Sequence, residues 1–228
     1  MRNAVKTLAA VLAATMVAGP AWADLVLSQV VVDLLPNAPP RVDVEALNNG
    51  PERIYVVADP AEIVDPGKPS ERRVASPDPA LLGLLVTPQR MILEPGERKL
   101  IRIAAIVPRT TRERIYRVTV KPVAGDVAAQ TTALKLLVGY DVLVMFRPSI
   151  LDGTVNGVLT GANIVLTNAG TTNVELYEGK QCDATGKDCR TLPPKRLYAG
   201  VSWRQSIDAA RMVEYRIKTG QSTLIKRF

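Results

Sequence analysis

The sequence predicts an all-β protein built from two antiparallel sandwiches in tandem. Three observations carry this. Apolar residues alternate with period two along most of the chain, not with the 3.6-residue period of a helix. Gly, Asn and Pro punctuate short apolar runs at close spacing, about seven runs per hundred residues, which is the pattern of a sandwich. No long amphipathic helical stretch interrupts them.

Residues 1–23 stand apart from this pattern. Arg2 and Lys6 give a positive start, Leu8 to Ala18 is apolar, and Ala21-Trp22-Ala23 has the A-x-A form of a cleavage site. The apolar run is too short to span a bilayer and Gly19-Pro20 breaks it. The segment is expected to be an export signal cut after Ala23. Its loss removes Arg2 and Lys6 and lowers the formal charge from +7 to +5.

In the mature chain, Leu25-Val26-Leu27 and Val30-Val31-Val32 form the opening strand. Val42, Val44 and Ala46 alternate with charged residues as far as the Asn48-Asn49-Gly50-Pro51 turn. Ile54 to Val57 is a short strand closed by Asp59-Pro60. Residues 59–80, with five prolines and many charges, read as a long irregular connection. Strands follow at Leu84–Thr87, Lys99–Val107, Arg114–Val120 and Thr132–Phe146, and Arg147-Pro148 ends the first domain, residues 24–148. The second domain, residues 149–228, carries strands at Gly153–Leu159, Ala162–Thr167, Thr172–Tyr177, Arg196–Tyr198, Ser202–Ile207, Val213–Ile217 and Ser222–Ile225. Export favours a structural disulfide between Cys182 and Cys189, helped by Gly186 in the short loop between them. So small a loop contributes about 2.5 kcal/mol by chain entropy, useful to a domain with a modest core.

Thr132–Phe146 is unusually long and apolar. Leu134, Leu136, Val138 and Tyr140 fall on one face, continued by Val142, Val144 and Phe146. Ala133, Lys135, Leu137, Gly139, Asp141 and Leu143 fall on the other. Two readings stand. One is a central strand buried on one face and half-buried on the other. The second is an edge strand that offers backbone and apolar side chains to a partner.

Composition removes several functions. With no histidine there is no Ser-His-Asp or Cys-His catalytic set and no usual His-based metal site. Two cysteines do not make a four-thiolate zinc site. No paired-carboxylate or nucleophile motif stands out, so neither an enzyme nor a cofactor is expected. Basic residues alternate with acidic ones and aromatics are 4%, which argues against nucleic acid as a partner.

A series of motifs runs along the chain: Leu47-Asn48-Asn49-Gly50, Leu85-Val86-Thr87-Pro88 with Leu93-Glu94-Pro95-Gly96-Glu97, Arg112 to Val118, Val144-Met145-Phe146-Arg147-Pro148, Ile164 to Asn168, Leu192-Pro193-Pro194 and Glu214 to Ile217. Their order resembles that of the PapD-like periplasmic chaperones of chaperone–usher pilus systems. The motifs span essentially the whole mature chain. The resemblance implies two immunoglobulin-like β-sandwich domains set at an angle with a cleft between them. It also implies donor-strand complementation: Leu134, Leu136, Val138 and Tyr140 would fill the groove of an incomplete pilus or fimbrial subunit, which then passes to an outer-membrane usher. The sequence leaves open whether the free protein self-caps as a homodimer.

Two departures accompany the resemblance. The family's basic pair, which anchors a subunit's C-terminal carboxylate, falls on Val32 and Leu143, neither of which binds an anion. Lys135, Arg117 and Arg41 are candidate substitutes. Glu113 and Arg147 match the family's domain-bridging acid and arginine, but the second-domain acid falls near Thr219, leaving Asp208 as an alternative. The competing expectation is an exported two-domain adhesin or structural binding protein.

Overall fold

The computed structural model describes residues 24–123 and 137–228. The strands of the first sandwich are β1 (Leu25–Leu27), β2 (Val31–Leu34), β3 (Arg41–Asn48), β4 (Ile54–Val64) and β5 (Arg72–Val74). After the one-turn helix α1 (Pro79–Leu82) come β6 (Leu84–Thr87), β7 (Arg90–Leu93), β8 (Arg98–Ala105), β9 (Arg114–Val123) and β10 (Tyr140–Phe146). The second sandwich holds β11 (Val155–Thr160), β12 (Asn163–Asn168), β13 (Val174–Cys182), β14 (Cys189–Leu192), β15 (Lys195–Leu197), β16 (Ser202–Ser206), β17 (Met212–Thr219) and β18 (Ser222–Arg227).

The first sandwich packs the sheet β1-β3-β8-β6 against β2-β10-β9-β4-β5, with β7 also paired to β4. The second packs β11-β12-β16 against β14-β13-β17-β18, with β15 also on β13. Each encloses its own apolar core. One is centred on Leu34, Leu84, Leu93, Ile101, Ile103 and Tyr116, the other on Ile164, Leu166, Leu176, Leu197 and Tyr215. Period-two alternation therefore does what it predicts: inward residues fill the sandwich and outward ones meet solvent.

A shared device closes a strand in each half. Asn48 is fully buried; its Nδ2 donates to the carbonyls of Glu52 (2.7 Å) and Leu93 (3.0 Å), and its Oδ1 accepts from the Gly50 N–H. Asn168 does the same in the second sandwich, donating to Thr172 and Leu197 carbonyls (2.9 Å each) and accepting from the Gly170 N–H. An Asn-x-Gly step satisfies the backbone groups that the turn would otherwise bury unpaired.

Several expectations are corrected. Residues 25–32 are two strands, not one. β1 pairs antiparallel with β3, whereas β2 crosses to the other sheet and runs parallel to β10. Ser28 marks the crossing, its N–H bonded to the Glu45 carbonyl and its Oγ accepting from the Glu45 N–H. Pro60 does not end a strand, because β4 runs on to Val64. Ala58 donates to Gln89 on the β7 side, so two residues on, Pro60 turns its missing N–H to the gap between β7 and β5. A proline is tolerated there. Residues 59–80 are consequently an arm, not an irregular link: β4 and β5 form a hairpin whose tip reaches the second sandwich, where Gly67 lies against Tyr198 and Val201. The positive φ of Gly67 (76°) makes that tight tip accessible. β7 and β14 were masked in the sequence by flanking turn residues.

Within Thr132–Phe146, residues 132–136 lie outside the described part, and the strand described there is Tyr140–Phe146. From Leu143 to Phe146 it is central, between β9 and β2, and Val142 to Phe146 are buried on both faces. Cys182 and Cys189 sit directly opposite each other on β13 and β14 and are joined as a disulfide.

Candidate functional site

The face of the β2-β10-β9-β4-β5 sheet turned away from its own core looks onto the second sandwich. Alternation fixes which residues stand there. On β10 they are Asp141, Leu143 and Met145; β9 contributes Ile115, Arg117 and Thr119, β4 contributes Ile63, β5 contributes Arg73, and β2 contributes Val31 and Asp33. Residues of the opposite parity on β10, Val142, Val144 and Phe146, join the first core. Ile63, Ile115, Leu143 and Met145 are buried together and meet Tyr198 of the second sandwich, which makes a small apolar seam between the domains. Burial raises the Tyr198 phenol's pKa, partly offset by the cations Arg117 and Arg196.

Beside this seam a polar cluster joins the sandwiches. Arg147 is 3% exposed. Its Nε and Nη2 grip the Asp33 carboxylate at 2.8 and 3.0 Å, and its Nη1 donates to Thr172 Oγ1 (2.7 Å) and the Asn173 carbonyl (2.9 Å). Glu113, equally buried, lies 3.6 Å from Arg147 Nη1. Its Oε2 accepts from Thr172 Oγ1 (2.8 Å) and Asn173 Nδ2 (2.7 Å), while Oε1 has no partner among the described residues. The structure thus brings Glu113 and Arg147 together. It places neither Thr219 nor Asp208 on the cluster: Asp208 instead caps a turn with Gln181 and Arg211. The second domain supplies Thr172 and Asn173, neutral groups, and the second carboxylate comes from Asp33 of the first. Thr172 and Asn173 are not legible in the sequence, because hydroxyl and amide groups give no charge signal. Arg109 ties the same junction, donating to the carbonyls of Leu34, Leu35 and Arg147.

The expected anchor pair is corrected in register. Val32 is 1% exposed inside the first core, so it does not face the cleft. The residue beside Leu143 is Val31, which is exposed and lines the cleft. Both positions are therefore apolar. Of the suggested substitutes, Arg117 is directly opposite Leu143 and lines a cavity of about 330 Å³ with Ile63, Arg72, Arg73, Asp141 and Tyr198. Arg41 stands on β3 of the other sheet, and Lys135 lies outside the described residues.

Leu134 and Leu136, two of the groove-filling positions, also lie outside the described residues. Val138 is exposed (47%) and precedes the strand. Tyr140 packs against the first core and its hydroxyl donates to the Leu25 carbonyl (2.9 Å), so it marks where the apolar face passes into the protein's own sandwich.

No protein-family model matches the chain, and no curated protein matches it. Solved structures do. The chain is similar to the class 5 fimbriae chaperone CfaA, with 23% identity over 89% of this chain and 98% of that one and a TM-score of 0.69. It is similar to the Salmonella enterica structure of the SafA pilin in complex with the SafB chaperone, with 17% identity, 92% and 97% coverage and a TM-score of 0.62. It is also similar to the CsuC–CsuE chaperone–tip adhesion subunit pre-assembly complex of Acinetobacter baumannii, with 12% identity, 90% and 98% coverage and a TM-score of 0.60. The fold is the two-domain immunoglobulin-like sandwich of these pilus chaperones.

Proposed function

We propose that the chain is an exported chaperone of pilus or fimbrial subunits, acting in the periplasm by donating a strand and delivering its cargo to an outer-membrane usher. The observation that carries this is whole-length likeness of fold to chaperones described with pilin or tip-adhesin subunits. The apolar alternation of residues 134–146 supports it. Val142, Val144 and Phe146 use that face for the first core, and the same parity continues backwards through Val138 to Leu136 and Leu134. A subunit seated on Leu134, Leu136 and Val138 buries three aliphatic side chains, about 5–9 kcal/mol before ordering costs.

In this reading residues 1–23 are removed on export, residues 24–148 form the donor domain and residues 149–228 the second domain. The Glu113–Arg147 cluster holds the angle between them. The activity is binding, with no reaction and no cofactor. A self-capping homodimer, in which one chain's apolar segment covers another's, is the alternative to a free monomer.

The test is affinity capture of the tagged mature chain from its native periplasm, with bound chains identified by mass spectrometry. A near one-to-one partner of pilin size, lost when Leu136→Arg is introduced, is the expected result. Capture of the same partner by the variant contradicts strand donation, and absence of any such partner from the wild type contradicts the chaperone reading.

A further inference from the structure

The seam between the sandwiches contains a methionine whose sulfur faces polar groups. Met145, on β10, is 2% exposed and packs with Ile63, Ile115 and Leu143. Three nitrogens donate to its sulfur: Asn173 Nδ2 at 3.2 Å, Arg196 Nη1 at 3.5 Å and Arg147 Nη2 at 3.6 Å. Each of these nitrogens carries two hydrogens, and one of the two already has a strong acceptor. Asn173 Nδ2 donates to Glu113 Oε2 (2.7 Å), Arg196 Nη1 to Asn173 Oδ1 (2.6 Å) and Arg147 Nη2 to Asp33 Oδ2 (3.0 Å). The second hydrogen of each is left to a thioether, a weak acceptor. The junction therefore gathers three underused donors, two of them cationic, on one oxidisable atom.

An oxygen atom on that sulfur changes the balance. Oxidation turns a methionine from an apolar into a polar side chain, which disrupts an ordinary core because the new oxygen finds no donor there. At Met145 the donors are already in place, and a sulfoxide oxygen takes the hydrogens that the sulfur holds weakly. The added bonds cross the junction, since Met145 belongs to the first sandwich and Asn173 and Arg196 to the second. The sulfur is also within reach of solvent, because Met145 lines a cavity of about 330 Å³ with Val31, Asp33, Arg147, Glu175 and Arg196. Arg147 and Arg196 on that wall stabilise the negative charge that develops on a departing oxygen. We propose that Met145 is an oxidative modification site: hydrogen peroxide converts it to the sulfoxide, whose oxygen clamps the two sandwiches together. In this step a sulfur lone pair attacks one peroxide oxygen and forms the S–O bond as the O–O bond breaks. Sulfur gives up two electrons, and the other oxygen leaves as water with both protons. The site belongs to the domain junction, so it is tested without any subunit and does not depend on the chaperone reading.

The mature chain carries two internal controls, Met91, 8% exposed in the first core, and Met212, 58% exposed. Among the described residues neither of these sulfurs accepts a hydrogen bond. The experiment treats the folded mature protein with hydrogen peroxide and follows each methionine by peptide mass spectrometry. Exposure alone gives the order Met212, Met91, Met145. The expected order is Met212, Met145, Met91, with Met145 oxidised about three- to tenfold faster than Met91. Stability is then read in a Met91→Leu, Met212→Leu protein, two volume-conserving swaps that leave Met145 as the one methionine to take up oxygen. Oxidation is expected to raise its urea midpoint by about 0.5 M, the effect of one net hydrogen bond at an ordinary m-value. Arg196→Gln in the same protein is expected to cancel most of that rise. Met145→Gln sets a strong acceptor near the place of the sulfur with no oxidant. It is expected to unfold at a higher urea concentration than Met145→Leu, and it serves if the doubly substituted protein does not fold. The proposal is overturned by a Met145 that oxidises no faster than Met91, or by an oxidised protein with an unchanged or lower midpoint. A rise that survives Arg196→Gln in full, or a Met145→Gln protein less stable than Met145→Leu, overturns it equally.

Discussion

Replacing Arg147 tests whether the two sandwiches are held as a unit by the buried cluster. Arg147→Met keeps most of the length and apolar stem but deletes the charge. The Asp33 carboxylate loses both of its bonds to the guanidinium, and Thr172 and the Asn173 carbonyl lose a donor. Glu113, 3% exposed, then keeps a buried negative charge served only by Thr172 and Asn173. Removing one partner of a buried pair in this way costs about 3–5 kcal/mol. Asp33 is 28% exposed, so Asp33→Asn leaves water to compensate and costs about 1 kcal/mol or less. Pairing Arg147→Met with Glu113→Gln removes the stranded charge and recovers part of the loss, a coupling of about 1–3 kcal/mol. Urea unfolding of the mature chain reads all four proteins. Its single tryptophan, Trp203, packs edge-on to Tyr215 at 6.3 Å and reports the second sandwich alone, while circular dichroism reports both. The two probes are expected to coincide in the wild type and to separate in Arg147→Met. A loss below about 1 kcal/mol for Arg147→Met, or equal losses for Arg147→Met and Asp33→Asn, refutes the reasoning.

Further outcomes follow from the same geometry. Asn168→Ala strips two carbonyls and one N–H of their buried partner, and is expected to lower stability by about 2–3 kcal/mol in urea melts followed by Trp203 fluorescence. Converting both Cys182 and Cys189 to Ser opens an eight-residue loop and lowers stability by about 2.5 kcal/mol, seen as an earlier Trp203 transition. Leu136→Arg changes the monomer's unfolding free energy in urea by no more than about 0.5 kcal/mol, because the reading assigns that side chain to the partner and not to the core. Burial pushes the Tyr215 phenol up to about 12. The unfolded tyrosine ionises near pH 10, so this contribution is intact below pH 10 and is lost as pH rises toward 12. Tyr215→Phe is therefore expected to lessen the fall in urea midpoint over that interval.

Much of the fold is legible in local alternation because inward and outward residues on one strand are chemically distinct. Val42, Val44 and Ala46, or Tyr116, Val118 and Val120, declare themselves in this way. Strand extent is less legible where one sheet edge is open. Pro60 looks like a terminator until the neighbouring strands are known, since only they show that its missing N–H faces a gap. The break between β1 and β2 is likewise set by which sheet each one joins, a long-range matter that the two short apolar runs Leu25–Leu27 and Val30–Val32 do not encode. At the site, Arg147 and Glu113 are visible as charges in recognisable motifs. Thr172, Asn173 and Asp33 are not, because each acts only through its position opposite a distant strand. Val32 was misplaced by one residue, and at period two a one-residue slip exchanges core for cleft. Arg73 and Asp141 were hidden for a related reason: they are 68 residues apart and meet only when β5 and β10 lie in one sheet.

Amide hydrogen exchange of residues 132–138, compared between the free protein and its purified one-to-one complex, tests strand donation most directly. Complex formation is predicted to slow exchange across this stretch, because its backbone becomes part of the partner's sheet, and to leave β12 and β16 unchanged. A complex that forms with no added protection of residues 132–138 contradicts strand donation as the mode of binding.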